Sequence, residues 1–150
     1  MMKITQEGYN KLKEELERLE TQDKPEIARI LREAIAEGDL SENAAYSEAK
    51  DRQAFVGGRV HEIKEALKQA QIEARPTSGK VGVGSTIKVT SAEGDKHAFI
   101  IVGPHEANLG EGKISYDSPL GGAFLNHKEG DTVRVKTPGG EKVYTIKEVR

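Results

Sequence analysis

Two carboxylates three positions apart, Asp39 and Glu42, stand in the segment Gly38-Asp39-Leu40-Ser41-Glu42-Asn43. Paired carboxylates suit a hard cation such as Mg²⁺, but Mg²⁺ keeps several waters and usually takes further ligands. The pair alone is therefore a poor metal site, though it suits one completed by another molecule. Asp-x-x-Glu is also a capping box, which satisfies free amides at a helix start. From the residues alone the cap is the more economical role. The two roles are compatible if the acids leave the cap on docking, and a helix N-terminus favours the ionised form of both.

The elements on either side must carry this turn. Thr5 is a candidate cap for a first helix, and Tyr9, Leu12, Leu16 and Leu19 form one apolar stripe at helical spacing. Asp23-Lys24-Pro25-Glu26 interrupts it: Pro25 removes a backbone donor and disfavours helix at Lys24, and Asp23 with Glu26 resembles a second capping box. A kink or restart is expected there. Ile27, Ile30, Leu31, Ala34 and Ile35 resume the stripe, and Gly38 is a good stop. A second helix is expected from Asp39 to Ser41 onward, with a seam of Ala45, Ala49, Val56, Val60, Ile63, Leu67 and Ala70. Gly57-Gly58 either weakens this helix or lets its partner approach closely. Each helical run is about 50 Å long at 1.5 Å per residue. The short connection makes the two runs antiparallel neighbours, with the acids at the far end of a rod.

Arg75-Pro76-Thr77-Ser78-Gly79 is a breaker cluster and the expected domain boundary. It separates a coiled coil over residues 1–75, with its acidic tip at 38–43, from a globular unit over 76–150. In the second unit the period changes to two. Strands are expected at Thr86–Thr90, Ala98–Val102, Lys113–Asp117, Thr132–Lys136 and Lys142–Lys147, with turns at Glu93-Gly94-Asp95 and Pro138-Gly139-Gly140. Ser118 as cap and Pro119 at the first helical position start a short helix reaching Leu125. The fold class is α+β, with an antiparallel two-helix coiled coil followed by a small, mostly antiparallel sheet domain with one helix.

Composition narrows the function. Of 150 residues, 35% are hydrophobic, 5% aromatic and 32% charged, which suits a chain that is partly solvated coiled coil. The net charge of −2 argues against a generally basic nucleic-acid binder. The chain has no Cys, which excludes disulfides and thiolate metal sites and fits a reducing cytoplasm. No segment approaches the ~20 apolar residues of a membrane span. His61, His97, His105 and His127 lack metal-ligand spacing. Gly79-Lys80-Val81-Gly82-Val83-Gly84-Ser85 has the wrong order for a phosphate loop and reads as linker and strand lead-in.

Around the tip, Tyr46 and Lys50 follow Glu42 at steps of four. Tyr46 either covers the end of the seam or stacks on a ligand. Lys50, Arg52 and Arg59, with Arg29 and Arg32, either form a basic strip leading to the tip or belong to a solvated face, since Glu33, Glu37, Glu48 and Asp51 interleave them. Asp117-Ser118-Pro119 reads as a strand end and helix cap, or as an exposed loop that docks a partner.

Three stretches recur together in one known family: Glu37-Gly38-Asp39-Leu40-Ser41-Glu42-Asn43-Ala44 followed by Tyr46, then Ser118-Pro119-Leu120, then Val135-Lys136-Thr137-Pro138-Gly139-Gly140. In these, and over nearly its whole length, the chain resembles the Gre transcript-cleavage factors of bacterial RNA polymerase, and within them the GreA branch. The resemblance implies an FKBP-like second domain and a transcription elongation factor that activates the polymerase rather than an enzyme. The coiled coil would enter the secondary channel of a backtracked polymerase. Asp39 and Glu42 would there share a Mg²⁺ ion with the polymerase and orient the attacking water on the nascent RNA. Tyr46 falls at the family's tip aromatic, and Asp117, Ser118 and Pro119 fall at its rim-docking loop. Cleavage to di- or trinucleotides is the expectation for the GreA branch. Two rivals stand beside it: a channel-binding regulator without cleavage, and a prolyl isomerase. The sparse aromatic residues of the second domain disfavour the latter.

Overall fold

The computed structural model describes residues 1–38 and 43–150, so Asp39, Leu40, Ser41 and Glu42 lie outside the described residues. The chain forms two compact units: Asn10–Gln69, and Met1–Tyr9 together with Ala70–Arg150.

The helical unit contains most of α1 (Gln6–Arg18), a wide π turn at Leu19–Asp23, α2 (Lys24–Ala36) and α3 (Ala44–Gln69). The expected stripe is present, since Leu12, Leu19, Ile27 and Ala34 are buried, as are Ala49, Val56, Val60, Ile63 and Ala66 on α3. Ile35 leaves the seam and is 55% exposed. Eight residues beyond Ile27, it has rotated about 80° around the helix, past the edge of the contact. Ala45 is exposed in the first turn of α3, and Leu67 is only half-buried.

At Pro25 the helix neither stops nor takes a new cap. Asp23 and Lys24 stay in the right-handed helical region, and Asp23 makes no capping bond. The Lys24 amide instead reaches back five residues to the Leu19 carbonyl. A proline ring collides with the carbonyl four residues earlier in a regular helix. Widening the preceding turn lets the chain pass Pro25 without breaking. Thr21 Oγ1 bonds the Glu17 carbonyl beside this turn at 2.7 Å.

Gly57 and Gly58 are not points of close helix approach. A Cβ built on either would meet no atom within 4 Å. They are simply poor helix formers in an exposed stretch.

The second unit is built on a five-stranded sheet in the order β5-β4-β3-β7-β6. Its strands are β3 (Thr86–Ser91), β4 (Lys96–Val102), β5 (Lys113–Ser115), β6 (Thr132–Thr137) and β7 (Gly140–Val149). All neighbours are antiparallel except β4 and β5. The alternation read from the sequence places Ile87, Val89, Phe99, Ile101, Val133, Val135, Tyr144 and Ile146 in one core. Helix α4 (Pro119–Phe124) closes this core with Phe124, which is fully buried. Ser118 caps α4, its Oγ accepting from the Gly121 amide at 3.0 Å. Val81 and Val83 are buried and Gly82 donates to Ser85 Oγ, so the glycine-rich run is a strand lead-in.

A two-stranded parallel ribbon was not anticipated. Strand β1 (Met2–Ile4) pairs with β2 (Ala70–Ile72), so Ala70, expected in the helix seam, begins a strand. Ile4 is fully buried, and the β1 ladder satisfies the backbone groups of β2. Glu106 secures this end. Its carboxylate accepts from the Thr5 amide at 3.1 Å, from the Gly103 amide at 2.9 Å and from the Thr5 hydroxyl. Thr5 is the expected cap, taking the Gly8 amide at 3.0 Å. A Cβ on Gly8 would lie 2.1 Å from Glu106 Cδ, so the glycine is what admits the carboxylate.

Two outcomes follow for urea unfolding of the whole chain. Glu106→Ala strands two amides and a hydroxyl at once and is expected to lower stability by about 1–3 kcal/mol. Gly57→Ala or Gly58→Ala is expected to raise it by about 0.5–1 kcal/mol each, because only backbone freedom is lost and nothing is crowded.

Candidate functional site

The ends of the helical hairpin are built by short local bonds. Beyond α2, the amides of Glu37 and Gly38 tighten onto the carbonyls of Ala34 and Ile35, each at 3.2 Å. Gly38 then turns the chain out at φ +106°, a conformation that favours glycine. On the return, Asn43 Oδ1 accepts the Tyr46 amide at 3.1 Å, the geometry of an N-cap for α3. The same side chain donates through Nδ2 to the Ala34 carbonyl at 3.1 Å. Among the described residues α3 runs from Ala44, with Asn43 as its visible cap, and the expected start at Asp39 to Ser41 lies outside them. The proposed capping box of Asp39 and Glu42 lies outside the described residues. Asn43 was overlooked in the sequence because Asp39 and Ser41 are equally good caps by type.

Tyr46 is half-buried in the first turn of α3. Lys50 is exposed and reaches Gln53 Oε1 at 3.3 Å. The basic residues do not form one strip. Lys50 follows Tyr46 by four positions and shares its face, whereas Arg52 lies two positions further and points elsewhere. Arg52 shares a face with Phe55, which is 74% exposed, and with Arg59. Arg29 is paired with Glu33 at 2.8 Å. Arg59 is committed within the hairpin: Nη2 and Nε hold the two oxygens of Glu15 at 2.6 and 3.0 Å, and Nη1 holds Glu62 at 3.0 Å. These bonds from Arg59 hold the Glu15 carboxyl below the usual carboxylate range.

In the other unit, the loop after β5 is prebuilt. Ser115, itself buried, donates to an Asp117 carboxylate oxygen and accepts the Asp117 amide at 3.3 Å. Ser118 Oγ donates to the Ser115 carbonyl at 2.7 Å while capping α4. A Cβ on Gly121 would lie 1.9 Å from the Ser115 carbonyl oxygen, so α4 can sit this close only with glycine there. Asp117, Ser118 and Pro119 are therefore fixed together. Beside them runs a groove of about 490 Å³ floored by Ile114, Leu120, Val135 and Tyr144. Lys113, Lys136 and Lys142 also line it, and Leu109 on its edge is 71% exposed.

Among the described residues, no three His, Asp or Glu side chains gather where they could hold a metal ion. Nor is any helix among them long and apolar enough to cross a membrane.

A two-helix stretch, α2 and α3, in a chain with a separate sheet unit and a prebuilt polar loop defines a two-part architecture. Its relatives identify the family. Residues 2–72 match the family model for the N-terminal domain of transcription elongation factors, and residues 76–150 match the GreA/GreB C-terminal domain. The chain is 43% identical to transcription elongation factor GreA of Thermomicrobium roseum, over 98% of this chain and 96% of that one. It is also 43% identical to the GreA of Thermotoga neapolitana, over 99% and 96%. Among solved structures it is similar to the GreA factor homolog Gfh1 of Thermus thermophilus, with 28% identity, a TM-score of 0.46 and coverage of 100% and 99%. The chain belongs to the GreA/GreB family of transcription elongation factors.

The Arg59 bonds give a pH-dependent observable. Glu15 is expected to titrate below about 4.3, the ordinary Glu value, in an NMR pH titration, and to return toward it in Arg59→Ala. Because the folded-state pKa is depressed, the pair's contribution to stability is present at neutral pH and is lost as pH falls through the depressed value.

Proposed function

We propose that this chain is a protein activator, not itself an enzyme, that binds bacterial RNA polymerase through its secondary channel and stimulates Mg²⁺-dependent cleavage of backtracked 3′ RNA. The observation that carries the reading is the acid-bearing turn at the end of a two-helix hairpin, in a member of this family. The donor set agrees with it. Two carboxylates suit Mg²⁺ but leave most of its coordination to others. Asp39 and Glu42 would hold the ion jointly with carboxylates of the polymerase. A Mg²⁺ ion bound there lowers the pKa of the attacking water and stabilises charge on the phosphate.

The other residues take supporting roles. Glu42 and Asp39 orient the attacking water as well as the ion. Tyr46 offers an aromatic face for the RNA 3′ end. Lys50 and Arg52 steer the phosphate chain from two sides of α3. Arg59 contributes through its grip on Glu15, which keeps α1 and α3 in register, and less as a free cation. Asp117, Ser118 and Pro119 dock on the polymerase rim, with the adjacent groove and Leu109 available to a side chain of the partner. The factor works in the cytoplasm, on nucleic acid held by the elongation complex, and releases short products.

Stalled elongation complexes provide the test. The wild-type chain is expected to shorten the RNA from its 3′ end and restore elongation. Asp39→Asn and Glu42→Gln keep shape and much of the capping ability, yet are expected to lower the cleavage rate about a hundredfold or more, the scale of losing one preorganised group at a reacting centre. Equal stimulation by both variants would refute the mechanism. Binding and altered elongation without shortened RNA would favour a channel-blocking regulator.

A further inference from the structure

The sheet of the second unit turns one face to its core and leaves part of the other open. Lys88 on β3, Lys96 and Ala98 on β4, and Lys147 on β7 are exposed there, with Thr90 half-buried among them. With Val89 and His97 they line a shallow basin of about 510 Å³, and no acid lines it. His97 belongs to its edge, since its ring stacks on Phe99 at 5.7 Å. A bulge supplies the third lysine. Lys88 faces Glu148 and Val89 faces Ile146, so Lys147 has no partner on β3. In an unbroken strand Lys147 and Glu148 would point to opposite faces. The extra residue lets both stand on the open face, while Ile146 and Val149 pack on the core. Glu148 is occupied by neighbours, taking Arg150 at 2.6 Å and Lys88 at 3.4 Å. Lys96 and Lys147 form no ion pair among the described residues. Three lysines thus stand on the adjacent strands β4, β3 and β7, spaced about 5 Å apart. Like charges this close destabilise a sheet, so the fold itself gains nothing from the cluster.

We propose that this basin is a nucleic-acid contact surface, which holds the phosphate backbone of a DNA duplex without reading its sequence. Charge complementarity points to a polyanion, because the lining carries three lysines and no acid. Lysine ammonium groups and threonine hydroxyls are the donors that backbone phosphates take. The basin is shallow, so a long ligand lies across it, whereas small molecules favour sites that enclose them. A protein partner is disfavoured by the side chains on offer. Protein interfaces centre on aromatic or large apolar anchors, and the exposed lining here is Lys, Ala and the edge of His97. Single strands are held by stacking bases on aromatic rings, and the nearby Phe99 and Tyr144 are buried in the core. A duplex presents its phosphates outermost and needs only cations and hydroxyls. The net charge of −2 is a sum over the whole chain and leaves room for a local cationic face. The inference depends neither on the acid turn nor on RNA cleavage.

The test follows the fluorescence anisotropy of a labelled DNA duplex of about 20 base pairs as the whole chain is added, at salt from about 50 to about 200 mM. The wild type is expected to bind at about 10⁻⁴ M or tighter in low salt. Log affinity is expected to fall against log salt with a slope of about −2 to −3, the value for two or three neutralised phosphates. Lys96→Gln and Lys147→Gln are each expected to weaken binding about tenfold in low salt and to make the slope shallower by about one. Their melting temperatures are expected to match or exceed that of the wild type, because repulsion is relieved. Lys128→Gln makes the same charge change on the exposed connection between α4 and β6, outside the basin, and is expected to bind like wild type. Absence of duplex binding by the wild type overturns the proposal. So does binding that Lys96→Gln and Lys147→Gln leave unchanged, or that Lys128→Gln weakens equally. Unchanged duplex binding, with weaker binding of the two basin variants to polymerase free of nucleic acid, also overturns it and assigns the basin to an acidic protein surface.

Discussion

The packing of α2 along α3 is the constraint on which the tip depends. Its seam is not uniform. Toward the turn it is made of alanines, Ala34 on α2 and Ala49 on α3, while farther away it is made of Ile27, Val56, Val60 and Ile63. Helix separation follows the size of the side chains at the contact. Small residues bring the two helices close near the turn, and branched ones supply most of the buried apolar area further back, at about 25 cal/mol per Å². Stability is thus concentrated away from the tip. Near the tip, where little area is buried, polar bonds take over the task of fixing the ends. Asn43 and the tightened last turn of α2 are those bonds.

The same division explains the fate of the charges. With 32% charged residues and a lean core, the hairpin uses ion pairs between and along its helices. Arg59 holds Glu15 with both ends of its fork, and Lys64 reaches Glu20 at 3.0 Å. Exposed pairs of single lysines contribute little, but a forked guanidinium–carboxylate contact, half shielded from water, is specific in direction. It sets the register of α1 against α3 more than it adds energy. Lys50 and Arg52, nearer the tip, bond no acid among the described residues.

What could be read from the sequence follows from the range of the forces involved. The strands of the sheet and the stripe of α1 and α2 announce themselves by period, because burial on one face repeats along the chain. Ser118-Pro119 and Thr5 announce themselves because capping is local. The rest depended on partners distant in sequence. Strands β1 and β2 are three residues each, too short to show alternation, and they exist because Met2–Ile4 meets Ala70–Ile72. Glu106 looks like any surface acid until Gly8 and Thr5 are placed beside it. Pro25 correctly marked a disturbance, but a π turn and a broken helix have the same sequence signal. Packing on α3 favoured the continuous form. The grouping of Asp39, Glu42, Tyr46, Asp117, Ser118 and Pro119 rests on family resemblance alone, since each residue type has an ordinary structural role in isolation.

The incompleteness of the acid pair is itself informative on the proposed reading. A third carboxylate on the turn would bring the chain closer to a metal site of its own. It would also add repulsion at the narrow end of a hairpin that has little buried area there to offset it. Such a factor would carry its metal everywhere and would lose the requirement for a partner. Two acids avoid both consequences. On that reading, neither acid alone would commit the ion. On the proposed reading, activity would arise only where a second protein supplies the missing ligands. For such a joint site the position of each carboxylate would matter more than its intrinsic affinity.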